Sequence, residues 1–136
     1  MPRKPSDAKP LLDAARKART QALAHYSGFK VGAALRAKGK KVYSGCNIEN
    51  ASYGLSVCAE RVALLKALSE GVTKFGALAV VTGAKEITPP CGACRQLLWE
   101  FCGDIPVYLG NLRGQVMSYR LKELLPHAFD IKNLDC

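Results

Sequence analysis

Cys58, Glu60, Cys91 and Cys94 are the residues whose types and spacing could do chemistry in this chain. They occur as Cys58-Ala59-Glu60 and, 30 residues beyond Glu60, as Pro90-Cys91-Gly92-Ala93-Cys94. Three thiols can occupy three corners of a tetrahedron around zinc, which favours four ligands drawn largely from Cys and His. A structural zinc site adds a fourth protein ligand, whereas a catalytic site leaves that corner to water. Glu60 stands two residues from Cys58, where its carboxylate can reach such a water without ligating the metal. One Zn²⁺ per chain, one open corner and one nearby base make a hydrolytic centre.

The elements that must hold these residues follow from periodicity and punctuation. Asp7 suits the cap of a helix over about 8–24, with Pro10 in its first turn and residues 1–5 left as a disordered tail. Leu11, Leu12, Ala15, Ala18, Ala22 and Leu23 make its buried stripe. Residues 29–37 alternate as a strand, Lys38-Gly39-Lys40 turns the chain, and 42–48 form a second strand. Ser56 is the expected N-cap of a helix from near Cys58 to Gly71. Residues 75–82 are apolar on both faces, as a central strand requires. A second metal helix covers 91–102 and stops at Gly103; strands at 105–109 and 116–119 and a short helix at 121–125 complete the chain.

That order predicts an α/β fold of three layers, a mixed five-stranded sheet flanked by helices, in one catalytic domain spanning 1–136. The link 110–115 is too short for a crossover helix, so the last two strands are expected to be antiparallel. Both metal motifs open helices, where the positive end of the dipole favours thiolates.

Composition sets the outer bounds. A chain of 136 residues with 49% hydrophobic content suits one domain with a real core. No apolar run approaches the roughly 20 residues of a membrane span, and the basic N-terminus lacks the apolar stretch of a signal peptide. A cytoplasmic location is expected. Six cysteines invite a disulfide reading, but three belong to the metal motifs. Cys46 and Cys102 read as small buried residues on a strand and a helix end, leaving Cys136. Thiolate ligands also suit a reducing compartment.

The net charge of +9 lies wholly in residues 1–41, where 11 Lys/Arg face 2 acids; residues 42–136 hold 9 of each. Clustered cations attract phosphates. No aromatic residue interleaves them to stack bases, however, and a solvated helix face carrying Arg16, Lys17 and Arg19 is the simpler reading.

The metal motifs match the zinc deaminase signature of His or Cys-x-Glu followed by Pro-Cys-x-x-Cys. Three further segments narrow the likeness: Phe29-Lys30-Val31-Gly32-Ala33-Ala34-Leu35, Gly45-Cys46-Asn47-Ile48-Glu49-Asn50-Ala51-Ser52-Tyr53 and Glu123-Leu124-Leu125-Pro126-His127-Ala128-Phe129. From about Tyr26 to Phe129 the chain resembles the small cytidine deaminases. The resemblance implies hydrolytic deamination of cytidine and deoxycytidine to uridine and deoxyuridine, with Glu60 as proton shuttle and Cys58, Cys91 and Cys94 holding the zinc. It gives Arg61 the task of drawing charge from the ligand sulfurs by hydrogen bonding. It places Asn47 and Glu49 on the ribose 3′-hydroxyl and Phe29 beside base and sugar. Ala51, Tyr53 and Phe129 match positions presented to a neighbouring subunit's site in a homotetramer. The same resemblance sets free nucleosides against nucleic acid, since polynucleotide-editing relatives place a helix between the last two strands and run them parallel. His25 departs from the family, where proline often precedes Tyr-Ser.

Competing readings explain less. A structural Cys3His module completed by His25 or His127 has no use for Glu60 and Arg61. A redox dithiol at Cys91 and Cys94 has none for a third cysteine beside an acid. Blasticidin-type deaminases share the zinc core but fit the 47–53 segment less well. Alone, Asn47 and Glu49 would be solvated strand-end residues and Phe129 ordinary core.

Overall fold

The computed structural model describes residues 5–134. In chain order the elements are α1 (Pro5–Arg19), β1 (Val31–Ala37), β2 (Val42–Cys46), a 3-10 turn at Tyr53–Leu55, α2 (Ala59–Ser69), β3 (Phe75–Thr82), α3 (Gly92–Cys102), β4 (Pro106–Asn111), β5 (Val116–Arg120), α4 (Leu121–Leu124) and a 3-10 turn at Ile131–Leu134. The strands form one mixed five-stranded sheet in the order β2-β1-β3-β4-β5. β3 is central, antiparallel to β1 and parallel to β4. β5 runs antiparallel to β4 with Leu109 opposite Met117, as the short link requires.

Side chains alternate across each strand, and so the sheet feeds two cores. Ala34, Ala79, Val81 and Tyr108 pack with Leu11 and Ala15 of α1 on one face. Leu35, Leu78, Val80, Val107 and Leu109 pack with Ala63 and Leu64 of α2 and Leu98 of α3 on the other. Three layers result, with the two metal helices sharing one face.

Two glycines set the distance between layers. A Cβ at Gly32 would collide with the Ala15 carbonyl of α1. A Cβ at Gly45 would lie 2.7 Å from the Ala63 nitrogen and 2.8 Å from the Ala59 oxygen of α2. Only a residue without a side chain allows this approach. The first turn of α2, which carries Glu60, is thereby pressed onto β2.

Several boundaries differ from expectation for tertiary reasons. α1 starts at Pro5, a residue suited to a first helical position, which moves Pro10 into the helix interior. The expected tail (apart from Pro5), the Asp7 side chain and Cys136 lie outside the described residues. α1 ends at Arg19 rather than Ala24, because Leu23 is taken up by pairing with Ile48. Leu23 therefore leaves the buried stripe and is exposed. β1 begins at Val31 rather than Phe29, since the Asn47 side chain occupies the Phe29 carbonyl and the Val31 N–H. β2 stops at Cys46, and Ile48 instead bridges Leu23 on one side and Val57 on the other. Ser56 does not cap α2; Cys58 does, while the Ser56 hydroxyl accepts a hydrogen bond from the Asn50 N–H. Cys46 and Cys102 are partly buried free thiols; burial pushes Cys102 up to about 12. Arg16 and Arg19 do more than face solvent: they donate to the carbonyls of Asn111 and Lys30.

Candidate metal centre and adjoining cavity

Cys58 and Cys91 occupy equivalent places, each the N-cap of its helix with extended backbone, and Cys94 lies in the first turn of α3. The unpaired N–H groups of both helix starts favour negative charge at these thiols. All three sulfurs lie within 4.8 Å of one another, and the Cys58 and Cys91 sulfurs are 3.9 Å apart. Cys94 is buried, Cys58 half-buried and Cys91 exposed, so the cluster is closed behind and open in front. Three soft donors at this spacing suit one tetrahedral zinc with a free corner.

The thiols differ in acidity. Hydrogen bonds from Cys94 and Cys91, and the charge of Arg61, bring Cys58 down to about 6 against the cost of burial. Cys94 is pushed up because it is the donor to Cys58 and is buried. Metal binding must therefore displace a proton from Cys94. Arg61 acts on Cys58 through charge; among the described residues it makes no hydrogen bond to a sulfur.

Glu60 is 4% exposed in the first turn of α2. Burial, reinforced by the nearby Cys58 thiolate, raises its carboxyl to about 7. A carboxyl that changes protonation near neutrality can take a proton and return it.

A cavity of about 330 Å³ opens in front of these groups. Cys58, Glu60 and Cys91 line it together with Phe29, Asn47 and Glu49. Asn47 is buried and spends its amide on the backbone of residues 29 and 31. Glu49 accepts hydrogen bonds from the Tyr26 and Ser27 N–H groups, each at 3.0 Å, and from the Ser27 hydroxyl. The Ser27 hydroxyl, then the Ser27 N–H, hold its carboxyl below the usual carboxylate range.

The remaining expected residues lie outside this cavity. Tyr53 lines a second hollow that shares Ser27 and Glu49 with the first, and its ring meets Tyr26 edge-on at 6.0 Å. It is 76% exposed, and Ala51 is exposed beside it. Phe129 is 57% exposed and so is not core; its carbonyl is held by the Gln96 amide at 2.7 Å. Within this chain neither Ala51 nor Phe129 lines the cavity.

Sequence reasoning passed over Ser27, Thr82 and Thr88, which also line the cavity. Thr82 ends the central strand where antiparallel and parallel neighbours meet, a position at which sheets commonly bind ligands, and that was the available signal. Asn111, fully buried at the end of β4, donates to the Lys85 carbonyl and the Gln115 side chain and accepts from the N–H groups of Arg113 and Gln115. It thereby ties the loop leading to Cys91 to the β4–β5 turn.

Residues 5–109 match the family model described as the cytidine and deoxycytidylate deaminase zinc-binding region. The cytidine deaminase of Sporosarcina psychrophila is 50% identical over 129 residues, covering 94% of this chain and 95% of that protein. That of Halalkalibacterium halodurans is 51% identical, covering 95% and 98%. The crystal structure of cytidine deaminase from Burkholderia pseudomallei superposes with a TM-score of 0.86 at 49% identity, covering 89% of this chain and 98% of that one. The blasticidin-S deaminase of Bacillus cereus is more distant, at 30% identity over 71% of the chain. The matched zinc-binding region and the Cys58, Cys91 and Cys94 cluster together give one zinc per chain.

Proposed function

Because this chain belongs to the zinc-dependent cytidine deaminase family, we propose that it hydrolyses cytidine and deoxycytidine to uridine and deoxyuridine, releasing ammonia. The observation that carries the reading is one cavity lined both by Cys58, Glu60 and Cys91 and by Phe29, Asn47 and Glu49. Reacting group and sugar can then be held at once.

Zinc held by Cys58, Cys91 and Cys94 supplies Lewis acidity, lowering the pKa of a coordinated water toward neutrality. Glu60 takes a proton from the attacking water and delivers it to the pyrimidine N3 as C4 becomes tetrahedral. It then carries the hydroxyl proton from C4 to the amino group, so that ammonia leaves and the C4 carbonyl remains. Arg61 offsets the negative charge that three thiolates impose. Phe29 packs beside base and sugar. Glu49, kept ionised by Ser27 and Tyr26, accepts from the ribose 3′-hydroxyl, and the buried Asn47 keeps that wall of the cavity in place.

The whole chain acts as one catalytic domain in pyrimidine salvage. The thiolate ligands expected at Cys58, Cys91 and Cys94 suit a reducing, cytoplasmic setting, and no described helix is long and apolar enough to cross a membrane. Ala51, Tyr53 and Phe129, exposed here, complete neighbouring cavities in a homotetramer.

Zinc-loaded protein incubated with cytidine, deoxycytidine, CMP, blasticidin S and single-stranded DNA tests this reading by ammonia release. The two nucleosides should be good substrates and the others poor. Absence of ammonia from both nucleosides would overturn it, and editing of DNA that weakens steeply with salt would return the basic N-terminal segment to consideration as a binding surface.

A further inference from the structure

Arg95 occupies the turn after Cys94 in α3 and reaches in two directions. Its Nε donates to the Pro90 carbonyl at 2.7 Å, and its Nη1 donates to the Leu124 carbonyl, also at 2.7 Å. Pro90 directly precedes Cys91, while Leu124 ends α4 and opens the segment that carries Phe129. No carboxylate among the described residues pairs with Arg95, so the fork of the guanidinium serves two backbone carbonyls.

The same helix holds that segment twice more. The Gln96 amide donates to the Phe129 carbonyl at 2.7 Å, and the Trp99 indole donates to the Asp130 carboxylate at 3.1 Å. The indole hydrogen bond keeps the Asp130 carboxyl below its ordinary range. Residues 95, 96 and 99 thus line the C-terminal segment against the helix whose N-terminus presents Cys91 and Cys94.

We propose that Arg95 is a positioning residue that ties the Pro90–Cys91 loop and the start of the 125–134 segment to α3, so that one side chain joins the metal-ligand loop to the segment that carries Phe129. The loop before Cys91 begins with Gly83 and includes no regular element. Fixing the Pro90 carbonyl therefore fixes where the Cys91 sulfur points, as groups behind a metal ligand orient it. Any disturbance of the ligand loop passes to the C-terminal segment through the same guanidinium, and the coupling is reciprocal. The role assigned to Phe129 rests on the deaminase reading above; the link between loop and segment does not.

The test uses the full zinc-loaded chain with Arg95→Ala and Arg95→Lys. Zinc transfer to a chromogenic chelator and the emission of Trp99, the single tryptophan, are read without substrate. Arg95→Ala should release zinc about 10–100-fold faster, the usual loss when a supporting group is removed. Its Trp99 emission should shift to the red as the segment, left with the Gln96 and Trp99 contacts alone, loosens. With cytidine, KM should rise more than kcat falls. An Arg95→Ala protein that keeps either the parent's zinc-release rate or its emission overturns the coupling. Should Arg95→Ala fail to fold, Arg95→Lys decides, because an ammonium lacks the planar fork whose Nε and Nη1 reach the two carbonyls. It should lose at least one readout, and parent behaviour in both overturns the proposal. A chain inert toward cytidine that still showed both shifts would remove the substrate reading and leave this one standing.

Discussion

Asn47 grips the backbone on both sides of Lys30: its Nδ2 donates to the Phe29 carbonyl at 2.8 Å and its Oδ1 accepts from the Val31 N–H at 2.9 Å. A side chain here does what a strand neighbour would do, and it fixes the residue that walls the cavity. Asn47 is held in turn by its own backbone, which receives Leu23 and reaches Val31. One buried amide therefore joins the segment after α1, the entry to β1 and the exit from β2.

Asn47→Ala should cost about 2 kcal/mol of stability in urea unfolding, since it leaves a donor and an acceptor unmatched. KM for cytidine should rise through the loosened Phe29 segment. Asn47→Asp should be no better than Ala, because it keeps the acceptor for Val31 but sets a carboxylate against the Phe29 carbonyl. Parent-like unfolding of both variants would remove Asn47 from this role.

Glu60→Gln should retain about one zinc per chain by elemental analysis and lose most turnover, because an amide cannot relay a proton. The metal-free chain offers a second measurement. A carboxyl raised to about 7 from an ordinary 4.5 binds more protons folded than unfolded between those values. Its burial is therefore tolerated below about pH 4.5 and costs stability progressively as pH rises through about 7. Metal-free Glu60→Gln should gain roughly 3 kcal/mol over the parent at pH 8 and little near pH 4. Equal gains at both pH values would show that the carboxyl is not strained by burial.

Arg61 influences Cys58 through charge, and so Arg61→Lys should stay closer to the parent than Arg61→Gln or Arg61→Ala. In the metal-free protein, the alkylation rate of Cys58 followed against pH should show its midpoint moving up from about 6 in Gln and Ala but not in Lys. Zinc affinity or activity should fall about 10–100-fold in the neutral variants. A Gln variant matching Lys would restore hydrogen bonding as the operative contact.

Phe129→Ala should weaken nucleoside binding while keeping zinc, as its ring is exposed within one chain. Mixing inactive Glu60→Gln protein with a Phe129 or Tyr53 variant should recover part of the activity, because in the proposed homotetramer a mixed oligomer would contain intact composite cavities. Sedimentation showing a fully active monomer would exclude shared sites.

The chemistry of this protein was legible in the sequence because it is local. Cys91 and Cys94 are three residues apart at a helix start, Cys58 and Glu60 two, and one helical turn fixes how such side chains face. The apolar run at β3 declared a central strand, and the short link after β4 declared an antiparallel end. Local pattern failed where distant segments compete for the same backbone groups. α1 carries enough apolar residues to continue to Ala24, yet pairing with Ile48 captures Leu23; β1 could begin at Phe29, yet Asn47 takes its carbonyl.

By itself, then, the sequence determined the donor set, the order of the layers and the class of reaction, since ligand type, spacing and hydrophobic period are properties of neighbouring residues. Tertiary structure alone decided that Glu60 is buried enough to titrate near neutrality, that Cys94 is buried while Cys91 is exposed, and that Arg95 ties the ligand loop to the C-terminal segment. Desolvation and hydrogen bonds across tens of residues depend on how the layers close, which neither composition nor periodicity encodes.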